Sequence, residues 1–347
     1  MEEISVIGID LAKQVFQLCG ENKAGEVVLT KRLKRKAFMT FMEQEALRCL
    51  VGMEACGGAH YWGRWLMARG FTVKLMAPRI VKAYRTSRHK NDFRDAHANC
   101  EAAGRPYVAG VAVKSEATQA AQALLRVREL QIKQLLQTTN QLHGLLHEFG
   151  IVLPRSTGRM LEKLARLEAE GRLTELPAAM AAIVKLQSSE IARQAAKVKA
   201  ATKALESAAE TDADCALLMS IPQIGPINAT ALAVALEMPK AFHNGRAFAS
   251  HLHLVPRQHA SADSNVMLGI GEMRANETRR YLVLAAQGLL TRAAKLKGPT
   301  NDRLLNLARS LLARKHRNVA AVAIANKLAR IGWAVMATRT PYQPIAA

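Results

Sequence analysis

The order of short β-branched segments at the N-terminus limits the fold of this chain most. ISVIGIDLA from residue 4, VFQLCG and EVVLTKRL are separated by turn residues, which is typical of a small antiparallel sheet. LVGMEA (50–55) and FTVKLMAP (71–78) follow, and the amphipathic segment AHYWGRWLMARG (59–70) lies between them, so strand, helix and strand predict a parallel α/β addition. A three-stranded meander followed by β-α-β is the layout of an RNase H-like domain, although the pattern does not exclude other α/β folds.

The chain becomes helical from about Ser115. Apolar residues at alternating three- and four-residue spacing predict a heptad seam over about four repeats. The seam residues are Leu125, Arg128, Ile132, Leu135, Thr139, Leu142, Leu146 and Phe149, with Arg128 and Thr139 as imperfections. Gly150 and Pro154 end this helix, and a second long helix is expected from about Pro177 to Glu210. The periodicity fits an intrachain helical hairpin and a dimerising coiled coil equally well.

The third part begins at IPQIGPINATALAVAL (221–236), which matches the helix–hairpin–helix pattern, in which a Gly turn and a helix N-terminus meet a phosphate. The remainder is predicted to be mostly helical. Between Thr278 and Ala347 the only acidic residue is Asp302, against thirteen Lys and Arg residues, which favours phosphate contact. We therefore expect a catalytic domain over 1–110, a coiled-coil, linking and oligomerising region over 111–212, and a C-terminal domain over 213–347.

The charge balance indicates a polyanionic partner. The chain has 49 Lys and Arg residues against 28 Asp and Glu residues, a net charge of +21. A membrane is not expected as that partner, because no apolar run approaches about 18 residues and the acidic N-terminus lacks the features of a signal peptide. The five cysteines are scattered, which predicts a reducing cytoplasm, and zinc binding by His251, His253 and His259 is set aside because no Cys lies near them.

Nucleic acid is thus the expected partner. The residues predicted to contact it are Lys13, Arg88, Lys90, Arg94, Gly225, Arg257, Arg279, Arg280, Arg314, Lys315 and Arg317.

Acidic residues are scarce in the N-terminal part, so their positions carry information. Asp10 lies at the end of the first strand, Glu54 ends the LVGMEA strand, and Asp92 and Asp95 share one helical face at i, i+3 spacing. Four such carboxylates can hold two Mg²⁺ ions about 4 Å apart, a pair suited to phosphodiester chemistry. Taken singly, each acid could instead cap a helix or turn, or pair with Arg88 or Arg94.

A family resemblance rests on seven segments in this order: GIDLAK, GMEACGGAHYWGR, LMAPRIVKAY, KNDFRDAHANCEA, IPQIGPINATALAVAL, FHNGRAFASHLHLVPRQHAS and RNVAAVAIANKLARIGWA. From about Ile4 to Met336 the chain resembles the DEDD transposases of the bacterial insertion sequence one-hundred-and-ten family, in particular the subgroup with the VPRQHSSGG signature. The resemblance implies a RuvC-like (RNase H-fold) domain, a coiled coil and a C-terminal transposase domain. It also implies recombination guided by a structured bridge RNA that pairs with donor and target double-stranded DNA.

The resemblance assigns roles to individual residues. It places the metal-binding tetrad on Asp10, Glu54, Asp92 and Asp95, and the serine nucleophile on Ser261. It further implies a homodimer or homotetramer in which serine and tetrad come from different subunits, and a cytoplasmic, nucleoid-associated bacterial enzyme.

At two places the sequence departs from the family pattern in a way that bears on catalytic activity. Ala262-Asp263 stands where relatives have glycines, and Ile270–Asn276 replaces a basic segment, so a diverged copy is an open alternative. Ser250 and Ser264 are alternative nucleophiles. Two other functions remain open: a non-catalytic DNA- and RNA-binding remnant, and a RuvC-like nuclease that hydrolyses branched DNA.

Overall fold

The structure, a computed structural model, describes residues 4–85, 92–261, 264–271, 277–298, 300 and 302–343. It divides into two compact units, residues 1–116 and 117–347. The first unit contains β1 (Ile4–Leu11), β2 (Val15–Asn22), β3 (Val27–Lys34), α1 (Arg35–Gln44), β4 (Leu50–Glu54), α2 (Ala59–Met67), β5 (Thr72–Met76), α3 (Pro78–Val81) and α4 (Asp92–Gly104). The helix α5 (Glu116–His147) begins at its boundary.

The second unit continues with α6 (Thr157–Ala169), α7 (Ala178–Glu210), α8 (Ala213–Met219), α9 (Pro226–Ala235), α10 (Gly245–His251), β6 (Pro256–Ser261), β7 (Ser264–Ile270), α11 (Glu277–Lys295), α12 (Arg303–Arg314) and α13 (Arg317–Thr338). A further division of this unit at residues 212/213 stays a prediction.

The sheet of the first unit has the strand order β3-β2-β1-β4-β5. β1, β2 and β3 pair antiparallel, whereas β4 pairs parallel with both β1 and β5. The predicted meander followed by a parallel β-α-β addition is confirmed. Ile7, Ile9 and Phe16 are fully buried, because alternating apolar residues of β1 and β2 face the core beneath α1 and α2.

Two glycines let helix α4 lie directly on the sheet. A Cβ atom at Gly8 in β1 would lie 2.1 Å from the carbonyl oxygen of Ala96, and one at Gly52 in β4 would lie 2.4 Å from the Cβ of Ala103. Only residues without a side chain fit at these two positions. The close contact fixes the N-terminal turn of α4 near the carboxyl ends of β1 and β4.

The two long helices of the second unit, α5 and α7, form an intrachain hairpin. Leu142 and Leu146 of α5 pack in one cluster with Val184 and Ile191 of α7. Nearer the other end, the Nε atom of Arg128 donates a hydrogen bond to the Thr202 hydroxyl at 2.9 Å. The hairpin alternative is therefore realised within the chain, and the bond to Thr202 explains why Arg128 occupies the predicted seam. The Thr139 hydroxyl instead bonds to the carbonyl oxygens of Leu135 and Leu136 in its own helix. Phe149 does not extend the seam, since the helix ends at His147 and Phe149 is exposed.

The C-terminal part is mostly helical, as predicted, with one exception. Helices α8 to α13 enclose a single core, and α8 and α9 are joined by the Gly225 turn. Strands β6 and β7 form an exposed antiparallel hairpin that the sequence pattern did not predict, because its side chains do not alternate between core and solvent.

Helix α13 corrects one expectation from the sequence. We expected no segment apolar enough to span a membrane, but by length and composition this helix is one. Ile324, Leu328 and Met336 of this helix are buried in the C-terminal core, as in the central helix of a globular domain.

Candidate acidic active site

Asp10 and Glu54 lie side by side at the carboxyl ends of adjacent strands. The parallel register pairs Ile9 with Met53, so the next residues along each strand are Asp10 and Glu54. Both side chains are partly exposed, while the residues that precede them are buried. The edge of the sheet thus presents two carboxylates where α/β sheets commonly bind ligands.

Helix α4 brings the other two acids to this edge. Asp92 and Asp95 occupy its first turn, where the helix dipole favours negative charge. Asp92 is exposed, and Asp95 is buried, with 7% of its surface accessible. One turn later, the Asn99 side-chain amide donates a hydrogen bond of 3.0 Å to the carbonyl oxygen of Ile9. Asn99 therefore ties the helix that carries Asp95 to the strand that carries Asp10.

A positively charged side chain, that of Arg85, lies among the four acids. The Nε atom of Arg85 is 2.9 Å from a carboxylate oxygen of Asp95, and its Nη2 atom is 3.7 Å from a carboxylate oxygen of Glu54. Arg85 follows the short 3-10 helix Lys82–Tyr84 and precedes residues 86–91, which lie outside the described residues. Its guanidinium contacts two of the four carboxylates and offsets one negative charge.

The acids repel one another. The pKa of Asp10 is raised to about 6, chiefly by burial and then by the negative charges of Asp95, Asp92 and Glu54, while Arg85 opposes the rise. The pKa of the neighbouring Cys56 thiol is raised by burial and then by the charges of Glu54 and Asp10. The site therefore holds more negative charge than Arg85 balances.

These features fit a site for hard divalent cations. Carboxylate oxygens are the ligands that Mg²⁺ prefers, and partly buried, mutually repelling carboxylates gain from a bound cation. Within the described residues, the one group of three metal-ligand side chains with atoms all within 4.8 Å of one another is Glu21, His97 and Glu101. The four predicted ligands are spaced more widely than that, with Arg85 between two of them.

Ser261 is the last residue of β6 and is exposed. It pairs with Ser264 across the tip of the hairpin; the intervening Ala262 and Asp263 lie outside the described residues. Ser250 is an exposed residue of α10. Ser261 belongs to the second unit and the four acids to the first. Its role as nucleophile stays a prediction.

The predicted nucleic-acid contacts divide into three groups. Lys13, Arg94, Gly225, Arg257 and Lys315 are exposed. Several others already bond within the protein: Arg279 to the Gly271 carbonyl, Arg280 to Glu129, Arg314 to Ser310, and Arg317 to Gln287 and Thr291. Arg88 and Lys90 lie outside the described residues, as do Glu272–Asn276 of the altered segment.

Sequence reasoning missed Arg85, Asn99, Gly8 and Gly52. Each acts through a contact between residues far apart in the chain, so no local pattern identifies it. The nearest signal was the run of basic residues before Asp92, which includes Arg85.

Two transposase family models match the chain. One, described as Transposase and named for the DEDD domain of IS110 elements, matches residues 7–151. The other, described as Transposase IS116/IS110/IS902 family, matches residues 215–298.

Similar proteins cover the chain almost completely. A probable family 20 transposase of Pseudomonas aeruginosa is 38% identical over 98% of this chain and 99% of its own length. The transposase for insertion sequence element IS1111A of Coxiella burnetii is 34% identical over 99% of this chain and 92% of its own length. The transposase for insertion sequence element IS1328 of Yersinia enterocolitica is 34% identical over 99% of both chains.

Proposed function

The chain belongs to the IS116/IS110/IS902 family of transposases, and from this membership we propose that it cleaves and exchanges DNA strands with a carboxylate-bound divalent cation and a serine nucleophile. It is an insertion-sequence transposase, an enzyme that acts on DNA. The cation, the nucleophile and the guide RNA are the parts that we propose.

The observation that carries this proposal is the convergence of the acids at one sheet edge. The register of β1 and β4 sets Asp10 beside Glu54, and the ion pairs of Arg85 link Glu54 to Asp95 on α4. We assign Asp10, Glu54, Asp92 and Asp95 as ligands of Mg²⁺. Bound there, the cation would supply positive charge to the phosphate during displacement.

Ser261 is our proposed nucleophile. Its hydroxyl loses a proton, its oxygen forms a bond to phosphorus, and a sugar oxygen leaves phosphorus and takes up a proton. The phosphoserine bond keeps the energy needed to rejoin the strand. In line with the family resemblance, we propose that serine and carboxylates act together from different subunits of a homodimer or homotetramer.

The net charge of +21 supports more than one polyanionic partner. We propose donor and target double-stranded DNA together with a structured guide RNA, bound through exposed cations such as Lys13, Arg94, Arg257 and Lys315. Pairing to the RNA would then determine the DNA sequence. We place the enzyme in the bacterial cytoplasm, at the nucleoid.

The test uses the full chain, an RNA transcribed from the DNA flanking the coding region, and end-labelled donor and target duplexes with Mg²⁺. We expect a denaturation-resistant protein–DNA adduct that Ser261→Ala abolishes and that Ser250→Ala and Ser264→Ala retain. Asp10→Asn and Glu54→Gln are expected to abolish both adduct and exchange.

The other outcomes support the rival functions. Mg²⁺-dependent cleavage without an adduct would indicate a hydrolytic nuclease. Binding of both nucleic acids without cleavage would indicate a non-catalytic remnant, in keeping with the acidic Asp263 two positions after Ser261 in the sequence.

A further inference from the structure

We propose that Glu21, His97 and Glu101 form a second metal site, distinct from the four acids, that binds a transition-metal cation such as Zn²⁺ or Mn²⁺. Glu21 lies near the end of β2, and His97 and Glu101 lie on α4. One ligand atom from each residue lies within 4.8 Å of the other two. His97 and Glu101 are at i, i+4 spacing, which places both on the face of α4 that meets β2.

The Glu21 carboxylate has a buried oxygen atom that a bound cation would satisfy. Glu21 is 6% exposed, and its Oε1 atom is buried without a hydrogen-bond partner. The Nε2 atom of His97 is 3.6 Å from this oxygen, too far for a hydrogen bond. A buried carboxylate oxygen that accepts no hydrogen bond is costly to fold, and a cation held between it and the imidazole would remove that cost.

The surrounding charges favour the same conclusion. Burial raises the pKa of Glu21, and repulsion from Glu101 raises it further. Arg105 is half-exposed and pairs with Glu101 at 2.7 Å, at the outer end of the cluster. A hydrogen bond with Cys100 and the charges of His97 and Arg105 act to lower the pKa of Glu21, but burial and Glu101 outweigh them.

The second site faces away from the first. His97 follows Asp95 by two residues, a turn of about 200° around the helix. Asp95 lies toward β4, where Arg85 bridges it to Glu54. His97 lies toward β2, on the other side of β1, where it approaches Glu21. A cation at the second site would fasten α4 to β2 and so fix the helix that carries Asp92 and Asp95.

The ligand set distinguishes the cations of the two sites. An imidazole with two carboxylates suits Zn²⁺ or Mn²⁺, whereas a set of carboxylates alone suits Mg²⁺. The second site is therefore expected to prefer Zn²⁺ over Mg²⁺.

The test measures metal binding in the full chain carrying Asp10→Asn and Glu54→Gln, which disables the first site. Calorimetry with ZnCl₂ and visible absorption of bound Co²⁺ are compared in this background and after adding His97→Ala or Glu101→Gln. His259→Ala is the matched control, because His259 is an exposed histidine of the second unit. Circular dichroism checks that each variant is folded.

We expect saturable Zn²⁺ binding and a Co²⁺ absorption band that His97→Ala removes and that His259→Ala leaves intact. The near-isosteric Glu101→Gln keeps the fold and is expected to weaken Zn²⁺ binding by about tenfold or more. Zn²⁺ is also expected to raise the melting temperature where His97 is present. Absence of Zn²⁺ binding, or binding that survives both His97→Ala and Glu101→Gln, would overturn the proposal.

Discussion

The guanidinium of Arg85 lies 2.9 Å from the carboxylate of Asp95. It also approaches Glu54 at 3.7 Å, so a single cation of the chain bridges an acid of α4 and an acid of β4. The position between carboxylates is one that a divalent cation would also favour. We infer that Arg85 and the metal compete for the same negative charge.

Replacing Arg85 tests this competition. Arg85→Ala is expected to strengthen Mn²⁺ binding by up to about fivefold, since a partly exposed ion pair contributes up to about 1 kcal/mol. Calorimetry with MnCl₂ in a His97→Ala background isolates the first site. Arg85→Lys keeps a positive charge and serves as the control, with a smaller change expected. Weaker Mn²⁺ binding by Arg85→Ala would instead mean that the guanidinium supports the metal-loaded site.

Asp10 should make the metal-free protein less stable as pH rises. Its pKa is raised from 3.8 to about 6 in the folded chain, so between these values the folded state holds more protons than the unfolded state. Stability contributed by protonated Asp10 is therefore present at low pH and is lost as pH rises through about 6.

Asp10→Asn removes this dependence. In EDTA its melting temperature is expected to exceed that of the wild type at about pH 7.5, and the difference should shrink toward about pH 4. Thermal denaturation followed by circular dichroism measures both values. If Asp10→Asn raised the melting temperature equally at both pH values, the charge of Asp10 would not be the cause of the increase.

The succession of strands along the chain and the candidate acids could be predicted from sequence because each depends on local information. β-branched segments and turns define β1 to β5, and Asp10 and Glu54 stand out in a basic chain. The β6–β7 hairpin could not be predicted in this way, since its exposed residues leave no apolar period. Arg85 could not be selected among seven basic residues, because only the approach of α4 to the sheet brings it to Asp95.

Cys56 should report on cation binding at the first site. The charges of Glu54 and Asp10, in addition to burial, raise the pKa of its thiol. A cation that neutralises these acids lowers that pKa and increases the reactive thiolate fraction. We expect Mg²⁺ to accelerate alkylation of Cys56 by iodoacetamide, measured by mass spectrometry. Asp10→Asn should abolish the acceleration, and the buried Cys19 and Cys215 should stay slow in all cases. A rate that Mg²⁺ does not change would argue against a cation beside Cys56.

The close packing of α4 predicts that a methyl group at Gly8 or Gly52 is destabilising. The added Cβ would lie 2.1 Å from the Ala96 oxygen at Gly8 and 2.6 Å from the Asn99 oxygen at Gly52. Gly8→Ala and Gly52→Ala are each expected to lower the free energy of unfolding by about 1–3 kcal/mol or more, because backbone must shift. Gly57→Ala is the matched control, since nothing lies within 4 Å of its added Cβ. Urea denaturation provides the comparison, and equal values for Gly8→Ala and Gly57→Ala would contradict the packing account.

Arg280 and Lys315 were both predicted to bind nucleic acid. Because their surroundings differ, replacing each by alanine is expected to affect DNA binding and stability differently. Arg280 and the Tyr281 hydroxyl both bond the Glu129 carboxylate, and these hydrogen bonds lower the pKa of Glu129 although its burial acts in the opposite direction. Arg280 therefore connects α11 to α5 within the second unit. Lys315 is exposed after α12, where it can approach a phosphate.

Lys315→Ala is expected to weaken DNA binding and to reduce the slope of log affinity against log salt concentration by about 0.9, the value for one phosphate contact. Arg280→Ala should leave that slope unchanged and lower the melting temperature, because Glu129 and Tyr281 lose a charged partner in a partly buried contact. Fluorescence anisotropy over a salt series and thermal denaturation separate the two effects. If Arg280→Ala reduces the slope as much as Lys315→Ala does, Arg280 leaves Glu129 to bind DNA.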